Sequence, residues 1–205
     1  MKPFQILVTL ALFSFACGAS KVDPELLKDG DIVFQTSRSN QSRAIQLATH
    51  SEYSHMGLLF RMDGQWMVLE AIQPVSWTPL NRWVARGLKG HVVVKRIKHR
   101  DTRLTPEALK LMKGVGQRFL GRPYDLTFEW SDDRIYCSEL VWKIYQEGAG
   151  ITIGELEQLR AFDLSHPVVQ KKMRERYRGN PPLDEAVISP QRMFESAELE
   201  TVLER

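Results

Sequence analysis

The residue of this chain with the strongest signal for nucleophilic chemistry is Cys137, within the segment Tyr-Cys-Ser-Glu-Leu-Val-Trp at 136–142. It lies at the start of a predicted helix over Ser138–Gly148. The unpaired backbone N–H groups and the dipole at a helix start favour an anion. A thiolate is that anion and is the reactive form of cysteine. The alternative is that Cys137 is a small buried apolar side chain.

A thiolate nucleophile needs a basic partner, and the chain offers five histidines. His55 begins a predicted strand and is followed by Gly57, which would let a backbone or a substrate approach closely. The other four lie in predicted loops or polar stretches, where histidine is usually exposed: His50, His91, His99 and His166. The residue pattern favours His55 only weakly over these four.

Glu70 is a candidate to orient that histidine, because it is a charged residue inside the apolar segment 67–72. A charge in such a segment needs a partner. If the predicted strands at 55–60 and 66–71 pair, Glu70 and His55 can lie side by side on one face of the sheet. The alternative is that Glu70 shares a water-facing side of an alternating strand with Trp66 and Val68.

Other classes of site have little support in the sequence. The chain has no cysteine pair and no His-x-x-x-His, so we expect no metal site. It has no glycine-rich phosphate loop and no Gly-x-Ser-x-Gly motif, and we expect no cofactor. The net charge of +3 is spread along the chain, which argues against nucleic-acid binding.

The N-terminus has the pattern of a secretory signal peptide. Lys2 precedes an apolar run over 4–15, small residues follow at 16–20, and the polar Lys21 comes next. We predict that residues 1–20 are removed and that the protein is exported to a bacterial periplasm. The alternatives are a buried N-terminal helix, and anchoring through Cys17 as a lipoprotein. No segment of the mature chain is apolar enough to span a membrane, and Cys137 would be its only cysteine, which excludes an internal disulfide.

The order of predicted elements indicates an α+β domain over residues 21–205. Strands are predicted at 31–35, 55–60, 66–71 and 90–97, with a hairpin at Asp63-Gly64. Helices are predicted at 39–49, 105–120, 138–148 and 163–178, with a last short helix after Ser189. We therefore expect a small antiparallel sheet or barrel packed against helices, and a C-cap at Gly148.

Several segments of the chain resemble those of a known family. Gly-Arg-Pro-Tyr-Asp at 121–125, followed by Tyr-Cys-Ser-Glu-Leu-Val at 136–141, resembles the NlpC-type papain-like hydrolases. Ser-His-Met-Gly at 54–57 precedes the cysteine, which is the order of the circularly permuted branch. That branch includes the YiiX/YebB-like proteins and relatives of lecithin retinol acyltransferase. Further similar segments bring the resemblance to nearly the whole mature chain: 30–35, 44–51, 53–55 and 130–134.

The resemblance implies a fold and a set of roles. It implies the circularly permuted papain-like fold, with Cys137 as the nucleophile, His55 as the base and Glu70 as the third polar member. It places Tyr124 near the oxyanion, and the start of the Cys137 helix, including Ser138, beside the reacting carbonyl. The reaction would be attack of the thiolate on an amide or ester carbonyl to form an acyl-enzyme.

Three functions stay open at this level. The first is an amidase or peptidase, acting on cell-wall peptides if the chain is exported. The second is acyl transfer or hydrolysis on a lipid, for which Phe128, Trp130 and Ile135 are possible pocket residues but equally good core residues. The third is a binding module that has lost activity. The expected partner is thus a small-molecule, peptide or lipid acyl substrate, and the sequence does not predict the oligomeric state.

Overall fold

The computed structural model of the chain describes residues 22–39 and 41–205. The predicted signal peptide over residues 1–20, together with Cys17, lies outside this range. None of the helices in the described part has the length and the apolar character that crossing a bilayer requires.

A six-stranded antiparallel sheet forms the centre of the fold, with the strand order β4-β3-β2-β1-β5-β8. A separate antiparallel pair is made by β6 and β7. The strands are β1 (Ile32–Gln35), β2 (His55–Met62), β3 (Gln65–Glu70), β4 (Ser76–Pro79), β5 (Val93–Ile97), β6 (Glu157–Gln158), β7 (Ala186–Val187) and β8 (Leu199–Glu204). The predicted α+β architecture is confirmed, as an open sheet with β4 and β8 at its two edges.

Helices are interspersed with the strands along the chain and cover the sheet. They are α1 (Ser42–Thr49), α2 (Leu80–Arg86), α3 (Arg100–Arg103), α4 (Pro106–Phe119), α5 (Cys137–Ala149), α6 (Pro167–Tyr177) and α7 (Pro190–Phe194). Helix α4 begins where Thr105 caps it, since the Thr105 hydroxyl accepts a hydrogen bond from the Ala108 N–H at 3.2 Å. Helix α4 packs along α5, and α5 packs on β2.

The alternation of side chains along the strands builds two cores, one on each face of the sheet. On the first face, fully buried residues such as Phe34, Met56 and Leu58 pack in one cluster with residues of α4 and α5. On the second face, Leu59 and Trp83 belong to a smaller cluster that α2 covers. Side chains on the second face can therefore meet residues of α5 only where the sheet ends.

The hairpin between β2 and β3 forms at the predicted turn. Asp63 and Gly64 have φ values of 48° and 78°. Positive φ at both central residues is the requirement of the tight turn whose twist matches paired strands. The turn sets the register that pairs Leu58 with Leu69, and this register places Gly57 opposite Glu70.

Six elements were not predicted, and the end of one helix was placed wrongly. The six are short, and none has a clear periodic pattern of apolar residues: β4, β6, β7, β8, α2 and α3. Helix α5 does not end at Gly148 but continues to Ala149, and Gly150, with φ of 66°, is its C-cap. Gly148 instead allows close helix packing, because a Cβ there would lie 2.6 Å from the Cα of Met112.

The close packing of Gly57 against β3 can be tested by substitution, because residues of β3 occupy the space that a side chain at position 57 would need. A Cβ at Gly57 would lie 2.4 Å from Cγ1 of Val68 and 2.9 Å from the carbonyl oxygen of Leu69. We expect Gly57→Ala to lower the free energy of unfolding by about 1–3 kcal/mol, measured by urea denaturation.

Gly114→Ala is the matched control, since nothing lies within 4 Å of a Cβ at this helical position. It should leave the stability unchanged or raise it, by about 1 kcal/mol at most. Equal losses of stability in the two variants would contradict the close packing of Gly57 against β3.

Candidate active site

Cys137 is the first residue of α5 and is almost completely buried, with 3 % of its surface exposed. The preceding residue, Tyr136, is extended, and its hydroxyl accepts a hydrogen bond from the Ile188 N–H at 3.1 Å. The chain therefore turns into the helix at the cysteine, and the first N–H groups of the helix have no carbonyl partner within it. These groups surround the thiol with positive partial charge.

His55 is the first residue of β2 and lies against two groups on the second face of the sheet. Its Nε2 atom lies 2.7 Å from Oε2 of Glu70. Its ring stacks on the indole of Trp83, with 6.0 Å between ring centres and 25° between the planes. The carboxylate and the indole together hold the imidazole in one orientation, which leaves the second ring nitrogen for another partner.

Cys137 is the neighbour that can take that place, because its side chain is one of the groups that raise the pKa of His55. The two residues come from opposite sides of the sheet, because Cys137 packs with the first-face core and His55 with Trp83 on the second face. They meet because His55 is the terminal residue of its strand, where no further backbone separates the faces. The structure thus brings the three sequence-predicted residues Cys137, His55 and Glu70 into one chain of contacts.

The opposite charges of His55 and Glu70 stabilise each other. Burial lowers the pKa of His55, but hydrogen bonds and charge attraction from Cys137 and Glu70 outweigh burial and raise the pKa from 6.5 to about 9. Burial raises the pKa of Glu70, but the hydrogen bond and the charge of His55 outweigh it and lower the pKa below the ordinary 4.5. An imidazolium and an ionised carboxylate are therefore favoured together at neutral pH.

Glu70 has no exposed surface, so it does not face water as one interpretation of the sequence allowed. Its Oε1 atom accepts a hydrogen bond from the guanidinium of Arg86, at the end of α2. Gly57, opposite Glu70, has no side chain to fill the space through which the carboxylate reaches the diagonal neighbour His55. Arg86 was not identified from the sequence, because nothing in its local pattern connects it with Glu70.

Tyr124 lies near Cys137. Two successive hydrogen bonds, from Arg176 to Gln41 and from Gln41 to Tyr124, form a relay that holds its hydroxyl and that was also not predicted. Its hydroxyl oxygen accepts a hydrogen bond from Nε2 of Gln41 at 2.8 Å, and Oε1 of Gln41 accepts one from Arg176 at 2.8 Å. Arginine can only donate, so Arg176 fixes which end of the Gln41 amide faces Tyr124. Burial, followed by the nearby charge of Cys137, raises the pKa of Tyr124, which keeps the phenol protonated.

The relay leaves the Tyr124 hydroxyl proton free for another acceptor, since the oxygen already accepts from Gln41. A phenol beside a thiol, with a proton to donate, can bind a negative oxygen. The hydroxyl of Ser138 is used differently, because it donates to the carbonyl oxygen of Ile188 at 2.8 Å. What Ser138 offers to the centre is its backbone N–H at the helix start.

Two cavities flank the centre, and Tyr124 lies in the wall of both. A narrow apolar cavity of about 80 Å³ has Cys137 and Phe128 in its wall and is otherwise enclosed mainly by α1, α6 and the segments after β6 and after β7. A wider cleft of about 720 Å³, open to solvent, has His55 and Arg86 in its wall. Ile135 and Trp130 do not line the apolar cavity; Ile135 is fully buried, and Trp130 packs against Trp142.

Comparison with known proteins is consistent with this architecture. Residues 26–203 match a family described as permuted papain-like amidase enzyme, YaeF/YiiX, C92 family. The chain is 51% identical over 173 residues to Escherichia coli K12 YiiX, described as uncharacterized, and the alignment covers 84% of each chain. A crystal structure described as metalloprotein yiiX from Escherichia coli O157:H7, DUF1105, shares 50% identity and a TM-score of 0.82, over 87% of this chain and 97% of that chain.

The pKa of His55 can be measured directly by an NMR titration of its imidazole. We expect a midpoint near pH 9 in the wild type. Glu70→Gln removes the adjacent negative charge, so the imidazolium loses stabilisation and the midpoint should move to lower pH.

Glu52→Gln is the matched control, because it removes the same charge from an exposed side chain on the segment just before β2. It should leave the midpoint within a few tenths of the wild-type value. A wild-type midpoint near 6.5 that Glu70→Gln does not change would contradict the electrostatic coupling.

Proposed function

The chain belongs to the permuted papain-like amidase family of YaeF and YiiX, and we propose that it is an exported cysteine amidase. In this proposal Cys137 forms the acyl-enzyme, His55 is the general base and acid, and Glu70 orients His55. The observation that carries the proposal is the buried contact chain from Cys137 through His55 to Glu70. A structural cysteine needs neither a basic partner nor a buried carboxylate behind that partner.

The proposed reaction follows from the positions of these groups. The Cys137 thiolate attacks the carbonyl carbon of the amide, and the carbonyl oxygen becomes an oxyanion that the backbone N–H groups at the start of α5 and the Tyr124 hydroxyl stabilise. The His55 imidazolium donates its proton to the amide nitrogen, and the amine leaves. Neutral His55 then takes a proton from water, which attacks the thioester and releases the acid.

The amide substrate we propose first is a peptide, and under export it would be a cell-wall peptide. A second candidate is hydrolysis or transfer of a lipid acyl group. The apolar cavity favours this second candidate, because it begins at Cys137 and is lined mainly by aliphatic and aromatic side chains. Both candidates use the same thiolate chemistry, so the identity of the acyl group distinguishes them.

Export is supported by the sequence of residues 1–20 alone. We expect the chain expressed in a Gram-negative bacterium to reach the periplasm and to start near Lys21, as measured by intact-mass spectrometry of that fraction. A mass that retains residues 1–20 would contradict cleavage. A diacylglycerol adduct on Cys17 would instead support lipoprotein anchoring.

The protein of the Escherichia coli O157:H7 crystal structure is described as a metalloprotein. Within residues 22–39 and 41–205, no three His, Cys, Asp or Glu side chains cluster in a way that could hold one. Both oxygens of Glu70 are already bound, by His55 and by the cationic Arg86. The residues around Cys137 do not fit a metal ion, and no step of the proposed reaction uses one.

Activation of Cys137 can be tested before any substrate is known. In the chain lacking residues 1–20, Cys137 is the only cysteine. We expect iodoacetamide at about pH 6 to alkylate it at least about tenfold faster in the native chain than in urea, where an ordinary thiol is almost fully protonated. His55→Ala should remove most of this difference. Alkylation no faster in the native chain than in urea would contradict thiolate activation.

The relay to Tyr124 has its own test, using any amide that the enzyme cleaves. Tyr124→Phe should lower kcat by about 10²-fold, the usual loss for one oxyanion donor. Gln41→Leu should lower kcat by about tenfold with little change in KM, because it leaves the donor but frees its orientation.

The double variant decides whether Gln41 acts through Tyr124. If it does, adding Gln41→Leu to Tyr124→Phe should cause almost no further loss of kcat. Losses that multiply in the double variant would show that Gln41 acts independently of the Tyr124 hydroxyl.

A further inference from the structure

Helix α6 and the residue that follows it carry the densest positive charge of the chain. Of the eight residues 171–178, five are Lys or Arg and one is Glu, which gives a net charge of +4. The whole chain has a net charge of +3, so the remainder is close to neutral. The relay to Tyr124 uses only one of these cations, because Arg176 reaches inward to Gln41. The others have no part in the site described above.

Three of these cations form the outer face of α6. The helix turns by about 100° per residue, and its inner side is marked by Val169, which is 4% exposed, and by the half-buried Met173. Lys171, Arg174 and Arg178 lie on the opposite side, about one turn apart, and all three are exposed. We call these three residues the cationic face.

Carboxylates near α6 do little to neutralise the cationic face. Its three residues form no ion pair with any part of the chain that the structure describes. Glu175, the one acidic residue of α6, pairs with Lys172 at 2.6 Å. Two neighbouring carboxylates are bound elsewhere: Asp163 by His50 and Glu129 by Arg134.

The positive surface continues from α6 onto α1. Helix α1 packs against α6, and Gln41 at its start accepts a hydrogen bond from Arg176 near the end of α6. Arg43, two residues further on, is exposed and therefore lies near the same end of the cationic face. The cations thus cover a surface broader than one side of a single helix.

The shape and composition of this surface favour a broad anionic partner. Single-stranded nucleic acid is bound by a charged groove with aromatic side chains, but α6 is convex, and its Tyr177 hydroxyl points inward to donate to the carbonyl oxygen of Thr127. A protein partner requires an apolar centre, and this fully described helix exposes one large apolar side chain, Val168, at 37%. A plane of negative headgroups needs neither, because it attracts each Lys or Arg separately.

We propose that the cationic face docks the protein on a membrane surface that contains anionic phospholipid. Lys171, Arg174 and Arg178 lie against the phosphate headgroups. The binding is electrostatic and reversible, because the apolar side of α6 is packed against the protein and cannot enter the bilayer. This inference goes beyond the amidase proposal and does not depend on it, since none of the three residues contacts Cys137, His55 or the relay.

Sedimentation with lipid vesicles tests the inference on the wild-type protein. Residues 1–20 are left out, because their apolar run would itself bind a bilayer, and both cores lie within residues 22–205. In about 0.05 M NaCl we expect binding to phosphatidylcholine vesicles that contain about 30 mol% phosphatidylglycerol, and no binding to phosphatidylcholine alone. Raising NaCl to about 0.5 M should release the protein.

Two triple variants locate the binding surface. Each cation near an anionic membrane contributes about fivefold to the affinity, so Lys171→Gln/Arg174→Gln/Arg178→Gln should bind roughly a hundredfold more weakly. The matched control removes the same charge from exposed residues of β2, α2 and α4, and should bind within about threefold of the wild type. It is Arg61→Gln/Arg82→Gln/Lys110→Gln.

Four results would overturn membrane docking. The wild type could bind neither kind of vesicle, or both equally, and these outcomes need no variant, so misfolding of a variant cannot rescue the inference. The two triple variants could lose affinity equally. Soluble polyglutamate, at the same concentration of negative charges, could bind as tightly as the vesicles, which would assign the cationic face to an acidic polymer. The amidase proposal is tested separately, by the activity of Cys137→Ala.

Discussion

The ionised carboxylate of Glu70, enclosed in the protein without exposed surface, is the constraint on which the site depends. A buried charge is tolerated only when its oxygens are bound, and here His55 takes one oxygen and Arg86 the other. Removing either partner would leave one buried carboxylate oxygen without its hydrogen bond and would weaken the compensation of the charge. The surroundings follow from this need. Gly57 leaves room for the Glu70 carboxylate, and Trp83 of α2 stacks on the His55 imidazole that the carboxylate binds.

The position of His55 at the end of its strand explains how a histidine on one face of the sheet meets a cysteine carried on the other. Helix α5 packs on β2, with Cys137 at its first turn, where the backbone N–H groups are free. The contact needs only that the strand end and the helix start meet in space. The order of the residues along the chain is therefore free to change, and here the histidine precedes the cysteine by 82 positions, from 55 to 137.

Local sequence patterns predicted the parts of the fold that local forces determine. The β2–β3 hairpin followed from Asp63-Gly64, and the start of α4 followed from Thr105-Pro106. Helix α2, with only seven residues, is too short for a periodic pattern, yet it supplies the Trp83 that stacks on His55. The C-cap was placed at Gly148 because only the tertiary contact with α4 distinguishes that glycine from Gly150.

For the site, the helix start made Cys137 a candidate, but choosing His55 and Glu70 depended on the family resemblance. The structure places the side chains of these residues next to one another. The relay from Arg176 through Gln41 was not predicted, because its two residues lie 135 positions apart and neither has a distinctive neighbourhood in the sequence. Packing alone brings them together. The same holds for the two cavities, whose walls come from segments spread along the chain.

The central claim is that Cys137 carries the acyl group, and the direct measurement is to trap that intermediate. The enzyme is mixed with p-nitrophenyl butyrate, quenched in acid within seconds and mapped by peptide mass spectrometry. We predict one butyryl group on the peptide containing Cys137, removable by hydroxylamine and absent from the His55→Ala variant. A butyryl group on another residue, with turnover that persists in Cys137→Ala, would contradict the account.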